Sequence, residues 1–152
     1  MFGIIVPNMN KTIPSQEVSY FDIGWLAGII DGEGSLAFYY CRRKGQSKLG
    51  VPYKESPIFG VYIINTDMEI MNHAKSIYEK WGLFAQINLK SASKKQREGS
   101  FSGTKPCYEL IVRRRRDVEE LLKFITPYLK GYKKAKAQTM LNFFLTKPFY
   151  SR

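Results

Sequence analysis

The sequence predicts an α+β fold, with one antiparallel four-stranded sheet packed on helices in the order αββαββα and a last helix following. Three observations predict it. A strand–strand–helix pattern occurs twice, and helix boundaries carry capping residues and stop residues. The third is composition: 44% hydrophobic and 24% charged over 152 residues suits one domain with a core and excludes a disordered chain. The boundaries expected are a lead-in over 1–18, a single domain over 19–147 and a tail over 148–152.

Ser19-Tyr20-Phe21-Asp22 has the Ser-x-x-acid form of a capping box, so the first helix is expected over 20–31. Gly34 releases the chain into an aromatic-rich strand over 35–43. A second strand is expected over 57–65, where Phe59, Val61 and Ile63 alternate with Gly60, Tyr62 and Ile64. Residues 44–56 between them form a long, Gly- and Lys-rich hairpin loop. Thr66-Asp67-Met68-Glu69 reads as a second capping box. It opens a helix with Ile70, Met71, Ala74, Ile77, Tyr78 and Trp81 inward and Gly82 as its stop. His73 lies off that face and reads as a solvated surface histidine.

Two further strands follow, over 83–90 and 106–114, joined by a basic loop over 91–105. Ala85, Ile87 and Leu89, and then Tyr108, Leu110 and Val112, form their apolar faces. Asp117 is expected to cap a third helix with Val118, Leu121, Leu122 and Ile125 inward, ended by Pro127. The last helix, over 132–146, is expected to bury Ala137, Met140, Leu141, Phe144 and Leu145 before Pro148 stops it.

The first helix is unusual. Phe21, Trp25 and Ile29 share one face and Ile23, Leu26 and Ile30 the next, which predicts burial all round. Yet Gly24, Gly28 and Gly32 recur at spacing four, with Ala27 beside them, and an interior glycine costs roughly 1 kcal/mol against alanine. Such a stripe permits close backbone approach by another element. The helix then ends in Asp31 and Glu33, acids where the macrodipole is already negative. Carboxylates beside free helix-end carbonyls are hard oxygen donors, suited to a cation such as Mg²⁺.

Twenty-four Lys and Arg against thirteen Asp and Glu give a net charge of +11, which points to a polyanionic partner, nucleic acid before anionic membrane. No apolar run is long enough to span a bilayer. Residues 1–14 lack the charged start of a signal peptide. Cys41 and Cys107 make neither a disulfide framework nor a zinc pattern. An intracellular, non-secreted protein is expected, its compartment open between cytoplasm, nucleoid and organelle matrix.

Leu26 to Gly34 reads L-A-G-I-I-D-G-E-G, which resembles the LAGLIDADG signature of homing endonucleases and intron maturases. Six of its nine letters match, with Ile for Leu, Gly for Ala and Glu for Asp at the others. The doubled ββα order resembles the core of the same family, over about residues 20 to 146. The resemblance implies that signature helices meet across a two-fold axis through small residues. That role falls on Gly24, Ala27 and Gly28, with Asp31 holding the helix end and the seam. A single motif implies a homodimer and a near-palindromic target.

The resemblance further implies that Glu33, the eighth motif residue, binds the metal together with the Gly32 carbonyl. The metal is Mg²⁺, with Mn²⁺ or Ca²⁺ able to occupy the same site. The family's basic residue near the scissile phosphate matches Lys133 best, with Lys130 and Lys134 open as alternatives. Asn65 matches a residue that positions water. The sheet then becomes a saddle in the DNA major groove. By strand parity Ser35, Ala37, Tyr39, Cys41, Arg43, Tyr62, Ile64, Gln86, Asn88, Lys90, Ile111 and Arg113 face the duplex. Arg43, Arg113, Gln86 and Asn88 are the expected base readers, and Lys48, Lys54, Lys94, Lys95 and Arg97 the expected phosphate contacts. The activity implied is site-specific, metal-dependent hydrolysis of both strands of a long double-stranded DNA target. The alternatives are an intron maturase that binds RNA and a non-catalytic DNA-binding protein on the same scaffold.

Overall fold

The computed structural model describes residues 18–42, 44–45, 48–51, 55–90 and 106–147, with Arg42 described by its backbone alone. Residues 1–17 of the expected lead-in, the expected tail and the basic loop over 91–105 lie outside these residues, whereas Val18, expected in the lead-in, is buried in the core. Along the chain come α1 (Tyr20–Glu33), β1 (Gly34–Arg42), β2 (Glu55–Asn65), α2 (Met68–Trp81), β3 (Gln86–Lys90), β4 (Cys107–Val112) and α3 (Arg115–Ile125). A 3-10 turn (Thr126–Tyr128) then leads to α4 (Gly131–Thr146). This is the α+β order that the sequence predicts.

The four strands form one sheet in the order β1-β2-β4-β3, every pair antiparallel. Register aligns the core in rows across the strands. Leu36, Val61 and Val112 are cross-strand partners, and so are Gly34, Ile63, Leu110 and Ile87. Both rows belong to the face that packs on the helices. There they meet Ile23, Leu26 and Ile30 of α1, Met71 and Ile77 of α2, and Leu121, Leu122 and Ile125 of α3. Phe38 and Phe59 stack with ring centroids 5.8 Å apart. Phe143 of α4 packs against both, at 5.1 and 5.5 Å, which seats α4 over the β1–β2 pair.

Local chemistry explains the helix ends. The first capping box is formed: the Asp22 N–H donates to the Ser19 hydroxyl (3.1 Å) and the Ser19 N–H to the Asp22 carboxylate (3.3 Å). For α2 the cap is one residue later than the sequence suggests. The Asp67 carboxylate, rather than Thr66, accepts from the N–H groups of Glu69 (2.8 Å) and Ile70 (3.4 Å). Gly82 ends α2 in the left-handed conformation at φ 80°, as expected. Asp117 is not the cap of α3. It stands within the first turn, where its carboxylate accepts the Phe84 N–H at 3.3 Å.

Four expectations about burial are corrected. The first helix is not apolar-buried all round: Ile23, Leu26, Ala27 and Ile30 are dry, but Phe21 is 70% exposed. Leu89 is exposed, near the end of β3, an edge strand of the sheet. Leu145 lies in the last turn of α4 and is also exposed, while Leu141 is only half-buried. Ile111, expected on the open face, is 3% exposed; it sits on central β4 between its register partners Tyr62 and Gln86. Among the described residues, no helix is long and apolar enough to cross a membrane.

Candidate functional site

The site is built at the C-terminal end of α1. The helix runs two residues further than the sequence suggests, so Glu33 is its last residue and Gly34 begins β1 without a loop. A Cβ on Gly34 would stand 2.6 Å from the Ile30 Cα and 2.7 Å from the Ile30 carbonyl oxygen. Only glycine permits so abrupt a passage from helix to strand, and that passage fixes where Glu33 emerges.

The Glu33 carboxylate is exposed and accepts a hydrogen bond from the Asn65 side-chain amide. Asn65 is the last residue of β2, and its side-chain oxygen Oδ1 accepts the Asp67 N–H at 2.8 Å. The residue that aims Glu33 is thereby tied to the start of α2.

Two residues of the motif meet the start of α4. Both Asp31 carboxylate oxygens accept the Lys130 N–H, at 3.1 and 3.3 Å. The Lys133 ammonium donates to the carbonyls of Ile30 (2.8 Å) and Asp31 (2.5 Å). A cation thus lies on the negative end of α1, whose own last turn contains no basic residue. Among the described residues no three His, Cys, Asp or Glu side chains cluster as a metal cage. At this helix end, among the described residues, Glu33 is the outward carboxylate, because Asp31 is already occupied by a backbone N–H.

Two surfaces flank this end. On the outer stripe of α1, a Cβ added at Gly24, Gly28 or Gly32 would meet nothing within 4 Å. On the open face of the sheet, Ser35, Tyr62, Ile111 and Gln86 form one row in register, and Ile64, Glu109 and Asn88 another. Tyr62 lies over Gly60, where an added Cβ would fall 2.3 Å from its ring.

By sequence, no protein-family model and no curated protein matches the chain. Solved structures do match. The homing endonuclease I-CvuI, solved in complex with DNA in the presence of magnesium, superposes with a TM-score of 0.55. It is 17% identical over 80% of this chain and 64% of its own. The homing endonuclease I-TnaI gives 0.56 at 16% identity, covering 81% of this chain and 71% of that one. The meganuclease I-SmaMI, bound to uncleavable DNA, gives 0.57 at 22% identity, covering 91% of this chain and 38% of that one. A LAGLIDADG homing endonuclease in complex with its DNA target, I-GzeII, is also similar. This is the LAGLIDADG homing-endonuclease fold. The chain spans less than two thirds of the I-CvuI chain and well under half of the I-SmaMI chain.

Within that LAGLIDADG fold, Glu33, Asn65, Asp31 and Lys133 gather at one helix end, although the contacting pairs are 32 to 103 residues apart. Lys130 and Lys134, the other two lysines considered, sit at the α4 N-cap and beyond Lys133. Ser35, Tyr39, Cys41, Gln86, Lys90 and Arg113 are exposed, while Ala37, Tyr62, Ile64 and Asn88 are half-buried. Ile111 is too buried to touch a ligand. Lys48 is exposed, and Arg43, Lys54, Lys94, Lys95 and Arg97 lie outside the described residues. Gly24 and Gly28 are on the open stripe, but Ala27 is in the chain's own core. Glu109, which strand parity puts on the same face as Ile111 and Arg113 but which is not among the expected DNA contacts, is an acid in the middle of the open face.

Proposed function

We propose that this chain is a site-specific homing endonuclease that acts as a homodimer and hydrolyses both strands of a near-palindromic double-stranded DNA target with divalent metal. The observation that carries the reading is the α1 terminus. An exposed carboxylate is aimed by an amide, beside an ammonium, at the end of a glycine stripe that meets nothing among the described residues. The donor chemistry fits a hard divalent cation. One carboxylate per chain is too few for a complete site, so the proposed site pairs two Glu33 carboxylates, with Gly32 carbonyls as further ligands. Packing Gly24 and Gly28 of two chains together would bring the two α1 ends close.

A bound Mg²⁺ ion would supply Lewis acidity to the phosphate and to the attacking water. Glu33 holds the site, Asn65 keeps the carboxylate turned outward, and Asp31 and Lys133 fix the helix end. The exposed residues of the open face, with Gln86, Lys90 and Arg113 foremost, then contact DNA in the major groove, and Lys48 meets phosphate. The net charge of +11 favours that encounter.

The test is cleavage of tiled duplexes spanning the intact insertion region of the host gene, with Mg²⁺, with chelator and with Glu33→Gln. Metal-dependent cuts on both strands, lost in the variant while binding persists, are expected. Specific duplex binding without cleavage under any divalent ion would leave a non-catalytic DNA-binding protein. Preference for precursor intron RNA over every duplex would turn the reading to a maturase.

A further inference from the structure

We infer that Asp31 and Lys133 form a reciprocal cap between two helices, and that Lys133 serves as a positioning residue for Glu33 through the α1 carbonyls rather than as a direct phosphate contact. The inference rests on the reading of Glu33 as a metal-binding acid and deepens it.

Each helix lacks at this end what the other provides. The last turn of α1 has no basic residue, and its terminal carbonyls have no partner further along the helix. The N-cap of α4 is Lys130, whose side chain offers no acceptor, and its first turn has no acid. Asp31 gives α4 the missing acceptor by taking the Lys130 N–H on both oxygens. Lys133 gives α1 the missing cation by donating to the Ile30 and Asp31 carbonyls. Ile30 also accepts the Gly34 N–H, so one carbonyl joins the α1 cap, the start of β1 and α4. Gly131, at φ 54°, permits the turn that brings Lys133 back over α1.

The consequence falls on Glu33. It is the final residue of α1, where helices fray, and its charge is unfavourable beside the negative helix end. Lys133 counters both: it stops the last turn from opening and offsets the like charge. Two of the three ammonium donors are used on carbonyls at 2.8 and 2.5 Å, which holds the group against the helix.

The experiment is a double-mutant cycle on the full chain with Asp31→Ala, Lys133→Met, the pair together, and Lys133→Arg. It reads amide hydrogen exchange at Lys130 and Gly34 in metal-free protein, and Mn²⁺ affinity by electron paramagnetic resonance. Either single change is expected to speed exchange at both amides by roughly fivefold. Either is expected to weaken Mn²⁺ binding by about tenfold, as loss of support behind a ligand does. The pair together should lose no more than the worse single change, and Lys133→Arg should recover most of the loss. Exchange unaltered by Lys133→Met, or losses that multiply in the pair, would overturn the cap. Glu33→Gln separates the two ideas: Mn²⁺ bound as tightly as by the unmodified protein would overturn the metal reading, whatever the amides report.

Discussion

The two faces of α1 carry similar apolar residues and meet opposite surroundings. Inward, Ile23, Leu26, Ala27 and Ile30 are all at most 1% exposed, against the sheet and the other helices. Outward, Phe21 and Tyr20 are largely in solvent, and the glycines between turns face open space. Gly34 makes the contrast sharper, since a methyl there would overlap the Ile30 backbone. The glycines of this one segment therefore divide into two kinds. One is required by the chain's own folding. The others carry a helix-propensity cost of about 1 kcal/mol each that nothing inside the described residues recovers.

The largest effect expected is on the inner face. Leu26→Ala should lower unfolding free energy by roughly 3 to 5 kcal/mol, since the side chain is fully buried and its neighbours belong to several elements. Gly34→Ala should follow at about 2 to 3 kcal/mol, because the obstacle is backbone rather than a side chain that can swing away. Urea denaturation checks both. If Gly34→Ala proved as stable as the unmodified protein, the passage from α1 into β1 would be less constrained than its geometry says.

Much of this was legible in sequence. Period-two and helical spacing, with turn and cap residues, fixed the order of every element. The acids at the end of the first helix marked Asp31 and Glu33 as candidates, and the choice of Glu33 between them came from the resemblance. Tertiary facts were less accessible. The outer face of α1 looked buried because hydrophobicity alone does not say which chain covers it. Ile111 looked open because parity gives a face but not the height of the side chains around it. The Lys133 contacts span more than a hundred residues of sequence, and no local pattern encodes them. Asp117 looked like a cap because its real partner, the Phe84 N–H, comes from the distant stretch between α2 and β3.

The outer face should respond in the opposite sense. Gly28→Ala is expected to raise the stability of the dissociated chain by about 1 kcal/mol, as alanine replaces an exposed helical glycine. In the proposed homodimer the same change should weaken self-association, measured by sedimentation, because a methyl there would separate two backbones packed through this stripe. Thermal midpoint should then lose its dependence on protein concentration. Equal dimer affinity in Gly28→Ala and the unmodified protein would remove the assignment of this stripe to a second copy.

The smallest effect expected tests how the inner face is held at its start. Asp22 is buried, which pushes its carboxyl up, but the hydrogen bond from Lys80 and those from the Ser19 backbone and hydroxyl, with the Lys80 charge, outweigh this. The net direction is below the ordinary aspartate range. Lys80 lies 3.1 Å away on α2, so the pair links the first turn of α1 to the last turn of α2. A carboxyl depressed in the folded state is ionised there when the unfolded chain has already bound a proton. Its contribution is therefore full above the ordinary aspartate value of about 4 and disappears as pH falls through the lower folded value. Asp22→Asn should cost about 1 kcal/mol at neutral pH, and its stability should fall less steeply than that of the unmodified protein between about pH 5 and 2. Parallel acid profiles for the two proteins would mean that the Lys80 pair contributes nothing as a charge, leaving hydrogen bonding at the cap as the whole of Asp22's role.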